Sequence, residues 1–174
     1  MSMLSETVGS LRNALDVEAP GRNFIRDAWD KLSALPGGKR AFSFLVGRAA
    51  RYTATINPRV LEVRKGYARV SMADTPGVRN PFRSVHAVAL TNLAELAGNL
   101  AVAYSLPDDA RFIVAGFTVD FQKKARGTIT AEGEASAITS SEKREYAIPV
   151  TMKDKAGDVV ATATLRTMVG PKKS

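Results

Sequence analysis

The feature that most constrains the fold of this chain is the apolar run from residue 84 to residue 107. It carries one formal charge, Glu95, among many Ala, Val and Leu residues. Its length and 3.6-residue periodicity predict one long helix over about residues 84–104. Because the apolar stripe is wide, other structure must wrap the helix on most sides. The stripe consists of Val85, Ala89, Leu90, Leu93, Leu96, Ala97 and Leu100.

Glu95 lies on the shoulder of this stripe, with Asn92 and Asn99 one turn away on either side. Burying a carboxylate is unfavourable unless it is paired or hydrogen-bonded. Glu95 is therefore a solvated residue, a structural buried acid or a functional group. We expect the two neighbouring amides to hydrogen-bond it and to set its orientation.

The polar residues of the run also argue against a membrane span, since His86, Asn92, Glu95 and Asn99 would all have to enter the lipid. No segment has the order of a signal peptide, which is a basic start, an apolar run and a small-residue cleavage site. We expect a soluble, cytoplasmic protein without a membrane partner.

Segments with helical periodicity precede the apolar run of residues 84–107, and segments with β periodicity lie on both sides of it. Residues 1–18 and 23–38 have amphipathic helical spacing, and the second segment ends at Pro-Gly-Gly. Residues 41–74 have a β texture that predicts two strands, 51–64 and 67–73. Four further strands are predicted after the helix, at 111–123, 126–138, 144–154 and 158–169.

This order of elements predicts an α+β fold in which an antiparallel sheet wraps the long helix. Ile113, Ala115, Phe117, Val119 and Phe121 alternate strictly, as one face of a strand does. Pro149 interrupts another strand and predicts an edge position or a bulge there.

Composition narrows the possible chemistry. The chain has no cysteine and one histidine, so thiolate chemistry and a multi-histidine metal site within one chain are excluded. A net charge of +8 favours an anionic partner, either nucleic acid, an acidic membrane surface or a phosphate-bearing small molecule. No basic motif interleaved with aromatics indicates nucleic-acid binding, so we expect no nucleic-acid partner.

The spacing of three polar residues resembles that of a known family. Asn80 lies six residues before His86, and Glu95 lies nine residues after it. The pattern is similar to that of the hot-dog fold acyl-CoA thioesterases, in particular the phenylacetic-acid type, and looks closest to an uncharacterised branch of that superfamily. The resemblance implies a hot-dog domain over 41–170, preceded by a helical extension over 1–40.

The resemblance also implies roles for the residues at matching positions. Glu95 would be the general base that activates water, or less favourably the nucleophile, in hydrolysis of a thioester. The backbone N–H of Ala87 would stabilise the oxyanion at the helix start. Asn80 would position water or the carbonyl group, and His86 would orient the loop or polarise the substrate.

Coenzyme A would enter as part of the substrate, and no other cofactor and no metal are expected. The segment from Val119 to Gly127 is similar to a family strand near the coenzyme A phosphates, which makes Lys123, Lys124 and Arg126 candidate phosphate ligands, with Arg83 as a further one. We expect a homodimer or a dimer of dimers with the acyl-CoA site at the subunit interface.

Two departures and three alternatives accompany the resemblance. His-Ala-Val stands where the family has His-Gly-Gly. Some members of the family have a Ser or Thr at the start of the next strand, but here that position falls on or near Ile113, and Thr118 is the nearest hydroxyl.

The alternatives are a hot-dog hydratase or dehydratase, a non-catalytic acyl-CoA or lipid-binding module, and a nucleic-acid-binding protein. The hydratases separate their His and acid by a longer span than nine residues.

Overall fold

The computed structural model describes residues 21–172. Its helices are α1 (Phe24–Ser33), α2 (Gly38–Ala49) and α3 (Ala87–Ser105), with two short 3₁₀ helices at Thr53–Ile56 and Pro76–Val78. Its strands are β1 (Arg59–Arg64), β2 (Tyr67–Met72), β3 (Ala110–Phe121), β4 (Ile129–Glu134), β5 (Arg144–Lys153) and β6 (Val159–Pro171).

The six strands form one sheet in the order β1-β2-β4-β5-β6-β3, and every neighbouring pair is antiparallel. The long helix α3 packs on one face of this sheet and contacts all six strands. The α+β fold and the sheet wrapped around a central helix are therefore confirmed. Leu93, Ala97, Ala101 and Val102 in α3 have no more than trace exposure, as the wide apolar stripe predicts.

Two glycines let α3 lie unusually close to the sheet. A Cβ at Gly133 in β4 would lie 2.7 Å from the backbone carbonyl carbon of Ala97. A Cβ at Gly98 in α3 would lie 2.8 Å from Cδ2 of Leu165 in β6. Close approach of helix and sheet excludes water and increases the packing of the core.

The segment 41–49 is helical, so the β texture predicted there is wrong. Phe42 and Val46 are one turn apart and are both buried, and the ring of Phe42 meets Trp29 of α1 edge to face at 5.0 Å. Packing of α2 on α1 thus overrides the local alternation of Phe-Ser-Phe. The strand predicted from residue 51 begins instead at Arg59, after the 3₁₀ helix Thr53–Ile56.

The remaining elements follow the predicted pattern closely. Strand β2, helix α3 and the four strands after α3 are present, with ends within a few residues of prediction. Pro149 pairs with Thr164 of β6 but lies one residue beyond the last β4–β5 pair, at Val150. Its strand therefore has a neighbour on one side only at this point, which confirms the predicted edge position.

Strand β3 is an edge of the sheet and contains a bulge between Val114 and Gly116. The bulge breaks the predicted strict alternation, because Phe117 and Phe121 lie opposite the buried Leu165 and Ala161 on the helix side, whereas Ile113 lies on the other face. Phe117 is nevertheless 42% exposed and Phe121 50% exposed. An apolar patch on the helix side of this edge is thus left uncovered by the residues that the structure describes.

The helix predicted at residues 1–18 lies outside the described residues. Helix α2 crosses the predicted domain boundary between residues 40 and 41, and that boundary stays a prediction. Among residues 21–172, none of the helices is long and apolar enough to cross a membrane.

Candidate functional site

The loop from Arg79 to His86 delivers the chain to the start of α3 and is held by backbone hydrogen bonds. Asn80 N–H donates to Ser84 O at 2.9 Å, and Val85 N–H donates to Ala125 O at 2.9 Å. His86 N–H donates to Val78 O at 2.8 Å. The loop is therefore fixed both to itself and to the segment that follows β3.

Asn80 organises the turn through its side chain. Its Oδ1 accepts from Phe82 N–H at 3.0 Å and from Ser84 N–H at 3.2 Å, and Arg83 between them has a left-handed φ of 56°. Because backbone N–H groups can only donate, these contacts identify which side-chain atom is the oxygen. The Asn80 amide group is thereby oriented away from the turn, with its Nδ2 hydrogens free of any partner among residues 21–172.

His86 is the N-cap of α3. Its Nδ1 accepts from Val88 N–H at 3.1 Å, so the neutral ring carries its proton on Nε2. Its backbone φ of −65° and ψ of 140° are extended. Ala87 N–H at the first helical position has no acceptor among the described residues. It is an unused donor at the positive end of the helix dipole.

A groove of about 270 Å³ opens where the loop, the start of α3 and the end of β3 meet. Asn80 and Ala87 line one wall, and Lys123 and Lys124 line the other. The structure thus brings four of the predicted site residues together. An acceptor placed in the groove has an amide donor, a helix N-terminus and two ammonium groups around it.

Lys123 is tied to the turn between β5 and β6. Its Nζ lies 2.8 Å from Asp154 Oδ2 and 2.6 Å from Asp158 Oδ2. These contacts raise the pKa of Lys123, chiefly through the hydrogen bond to Asp154, and the same lysine lowers the pKa of Asp154. Lys124 is exposed and forms no ion pair within residues 21–172, which leaves it the freer of the two ammonium groups in the groove.

Arg83 and Arg126 are exposed and are not in the wall of the groove. Arg126 lies close enough to Asp74 to lower its pKa slightly, behind the larger effect of a hydrogen bond from Arg79. Asp74 accepts from Arg79 Nε at 2.7 Å and from Gly127 N–H at 2.9 Å. This carboxylate therefore joins the two segments that build the groove, a role the sequence pattern did not indicate.

Glu95 is half-buried and does not line the groove. It lies with Thr91 and Asn99 on the side of α3 that the chain covers least. The predicted hydrogen bonds from the amides of Asn92 and Asn99 are absent among the described residues. Asn92 donates instead to Tyr52 O at 3.2 Å. The carboxylate of Glu95 is thus accessible and has no partner among residues 21–172.

The ring of His86 faces a different cavity, of about 190 Å³, on the other side of the loop. Tyr52, Arg79 and Asn92 also line this cavity. Asn92 is 4% exposed, and its Oδ1 accepts no hydrogen bond from residues 21–172. Among residues 21–172, His86 therefore lines this cavity and Ala87 lines the groove, although the two residues are adjacent in sequence.

The spacing argument missed several groove residues, among them Ser84, which completes the Asn80 turn, and Phe121 and Gln122 at the end of β3. The alternation of β3 indicates a strand but not which of its ends meets α3. Among residues 21–172, the structure contains no group of three or more His, Cys, Asp or Glu side chains that could hold a metal ion.

Comparison with known proteins places this fold in a family. A family model described as a domain of unknown function, DUF4442, matches residues 38–169. The chain belongs to the DUF4442 family. No curated protein matches this DUF4442 chain.

Solved structures give the same fold for this DUF4442 protein. A structural-genomics protein is 29% identical, with a TM-score of 0.73, over 85% of this chain and 99% of its own. A Pseudomonas aeruginosa protein of unknown function, described as a probable thioesterase, is 26% identical, with a TM-score of 0.69, over 79% of this chain and 97% of its own. The E. coli PaaI protein from the phenylacetic acid degradation operon is 17% identical, with a TM-score of 0.62, over 76% of this chain and 94% of its own. The resemblance to hot-dog thioesterases, PaaI included, is confirmed at the level of the fold.

Proposed function

We propose that this protein is an acyl-CoA thioesterase that hydrolyses a thioester to a free acid and coenzyme A. The observation that carries the proposal is the groove in which Asn80 and the unused N–H of Ala87 converge at the start of α3. A thioester carbonyl in this groove would place its developing oxyanion against the helix N-terminus. The name of the Pseudomonas aeruginosa relative, a probable thioesterase, agrees with this chemistry.

Glu95 is the proposed general base, and the proposed site needs two copies of the chain. Ala87 and Glu95 are eight residues apart on one helix, which separates them by about 12 Å along its axis. A carboxylate at that distance is too far from a carbonyl bound at Ala87 N–H to activate water for attack on it. We therefore assign Glu95 of one protomer to the groove of its partner.

The uncovered edge strand supports this homodimer. Phe117 and Phe121 leave an apolar patch on the helix side of β3, and the outer edge of that strand is unpaired within residues 21–172. Exposed apolar edges tend to pair with another chain. A symmetric dimer formed there would cover the patch and would place two such helices on the same side of a continuous sheet.

In this mechanism, Asn80 and Ala87 hold the carbonyl oxygen, and Glu95 takes a proton from water as the water attacks the carbonyl carbon. The carbon–sulfur bond then breaks, and the coenzyme A thiolate leaves. Lys124 offers its charge to the phosphates of coenzyme A, whereas Lys123 would first have to give up Asp154 and Asp158. Arg83 and Arg126 remain candidate phosphate ligands near the groove.

Release of free thiol from short, long and aromatic acyl-CoAs tests the proposal, with wild type and Glu95→Gln measured side by side. Turnover by wild type that falls by about 10²-fold or more in Glu95→Gln supports it. Equal turnover by the two proteins would remove the general-base role. Tight acyl-CoA binding without thiol release would favour the non-catalytic binding module instead.

A further inference from the structure

A larger cavity, of about 440 Å³, lies between α2 and the start of β1, apart from the groove and from the cavity of His86. Its walls include Arg40 and Arg48 from α2, Arg59 from the start of β1, and the ring of Phe44. Phe44 is 68% exposed. One concave surface thus combines three guanidinium groups with an uncovered aromatic ring.

No carboxylate among residues 21–172 pairs with the arginines of this cavity. From Lys31 to Leu61 the sequence has six basic residues and no acidic one. The side chains of Arg40, Arg48 and Arg59 form no ion pair or hydrogen bond with any residue from 21 to 172. Elsewhere in the chain, arginines such as Arg79 have carboxylate partners. The field in the cavity therefore favours an anionic ligand.

The scaffold around the cavity is rigid. Ser43 Oγ donates to Lys39 O at 2.7 Å and accepts from Val60 N–H at 2.9 Å, which joins α2 to β1. Arg40, Phe44 and Arg48 follow at four-residue intervals and therefore lie on one face of α2. Phe44 thus lies between Arg40 and Arg48 along this face of the helix, with Arg59 supplied by the neighbouring strand.

We propose that this cavity binds a nucleotide, with its phosphates on the three arginines and its base against Phe44. Guanidinium groups bind phosphate oxygens in pairs, and a flat base stacks on an exposed aromatic ring. The volume is within the range of about 300–1,000 Å³ that small-molecule sites occupy. The ligand is either a free nucleotide or the nucleotide end of coenzyme A, in which case this cavity rather than Lys124 holds the coenzyme A phosphates. Binding of a free nucleotide requires no hydrolase activity.

Calorimetric titration of the full chain with three probes tests the phosphate contacts and the base contact separately. ADP carries phosphate and base, ribose 5-phosphate carries phosphate alone, and adenosine carries the base alone. We expect saturable ADP binding, with ribose 5-phosphate and adenosine each weaker by about tenfold or more. Absence of saturable ADP binding to the folded wild-type protein would overturn the proposal.

Two matched sets of variants locate the binding. The double variant Arg40→Gln/Arg48→Gln should weaken ADP binding by about 30-fold or more, since each lost charge-assisted contact is worth a severalfold change. Lys143→Gln/Lys155→Gln removes the same charge from two exposed lysines outside the cavity and should bind ADP within about twofold of wild type. Equal weakening in both double variants would show non-specific attraction and would contradict the site.

Phe44→Ala tests the stacking contact separately from the fold. It should weaken ADP binding by about tenfold while leaving ribose 5-phosphate binding unchanged, which a general disruption of α2 would not do. Unchanged ADP affinity in Phe44→Ala would refute the assigned base contact.

The Michaelis constant for acyl-CoA identifies the source of the nucleotide. A KM that rises about tenfold in Arg40→Gln/Arg48→Gln with kcat unchanged supports the cavity as the site of the coenzyme A nucleotide. An unchanged KM with weakened ADP binding supports a free nucleotide. If acyl-CoA is not hydrolysed at all, the proposed function fails, while the ADP titration still decides whether this site exists.

Discussion

Ala87 and Glu95 lie on the same helix, but eight residues separate the unused N–H of Ala87 from the accessible carboxylate of Glu95. The Cα atoms of the two residues are therefore about 12 Å apart along the axis of α3. The donor and the acid of the proposed site are thus held apart within one chain. A dimer that brings the Glu95 of one copy to the Ala87 of the other resolves this geometry.

Replacing Ala87 by proline removes the proposed oxyanion donor while keeping the helix. Proline is well accommodated at the first helical position, and the extended φ and ψ of His86 suit a residue that precedes proline. We expect kcat to fall by about 10²–10³-fold with the melting temperature nearly unchanged. Ala87→Gly, which keeps the N–H, is the matched control and should retain most activity. Full activity in Ala87→Pro would exclude this N–H from catalysis.

The homodimer is expected to depend on the apolar patch of β3. Phe117→Arg/Phe121→Arg should convert the proposed dimer into a monomer and abolish turnover, because each site would lack the partner's acid and because Phe121 also lines the groove. Light scattering coupled to size-exclusion chromatography measures the mass. Leu35→Ser, at a residue that is 58% exposed in the turn between α1 and α2, is the control and should remain dimeric. A dimer that survives both arginine substitutions would place the interface elsewhere.

The contact between α3 and the sheet predicts different effects for two Gly→Ala substitutions. At Gly133 the added Cβ meets the backbone of Ala97 and Gly98, which cannot move aside easily, so we expect destabilisation of about 1–3 kcal/mol. At Gly98 the nearest atoms are the Leu165 methyl groups, and the higher helix propensity of alanine partly offsets the clash. Urea unfolding should therefore show the larger loss for Gly133→Ala, and a larger loss for Gly98→Ala would contradict this packing.

Asp74 should make the groove sensitive to acid. A hydrogen bond from Arg79 lowers the pKa of Asp74 below its usual 3.8, so the carboxylate stabilises the fold above that pH. The stabilisation is lost as the pH falls through the lowered pKa. At pH 7, Asp74→Asn should reduce the melting temperature by about 2–4 °C relative to wild type.

The control is the pH dependence of the difference in melting temperature between wild type and Asp74→Asn. Melting curves of wild type and Asp74→Asn should converge as the pH is lowered below 3.8, because the wild-type carboxyl group then becomes neutral as well. A difference in melting temperature that stayed constant on acidification would show that the charge of Asp74 is not what holds the loop.

The sequence predicts the central helix and its sheet because long-range packing agrees there with local periodicity, as at Leu93 and Ala97. It fails at Phe42 and Val46, whose β-like alternation is overridden by packing on Trp29. Strict alternation in β3 likewise gives no sign of the bulge at Val114, which changes the face of the residues beyond it.

The site is predicted in part for a similar reason. Asn80 and Ala87 meet because one short loop connects them, and the spacing of residues captures such local geometry. The ion pairs of Lys123 with Asp154 and Asp158 depend on how a distant hairpin folds back. Tertiary contacts of this kind leave no pattern in a single sequence.

The most direct test of the two-copy site is to mix Glu95→Gln and Ala87→Pro protomers after reversible dissociation and to assay thiol release. Each variant alone should be nearly inactive. A mixed dimer pairs the intact Glu95 of one protomer with the intact Ala87 N–H of the other at one of its two sites. We therefore predict recovery of about a quarter of wild-type turnover for random mixing. No recovery, with mixed dimers present and wild type active, would contradict an acyl-CoA site shared between two copies.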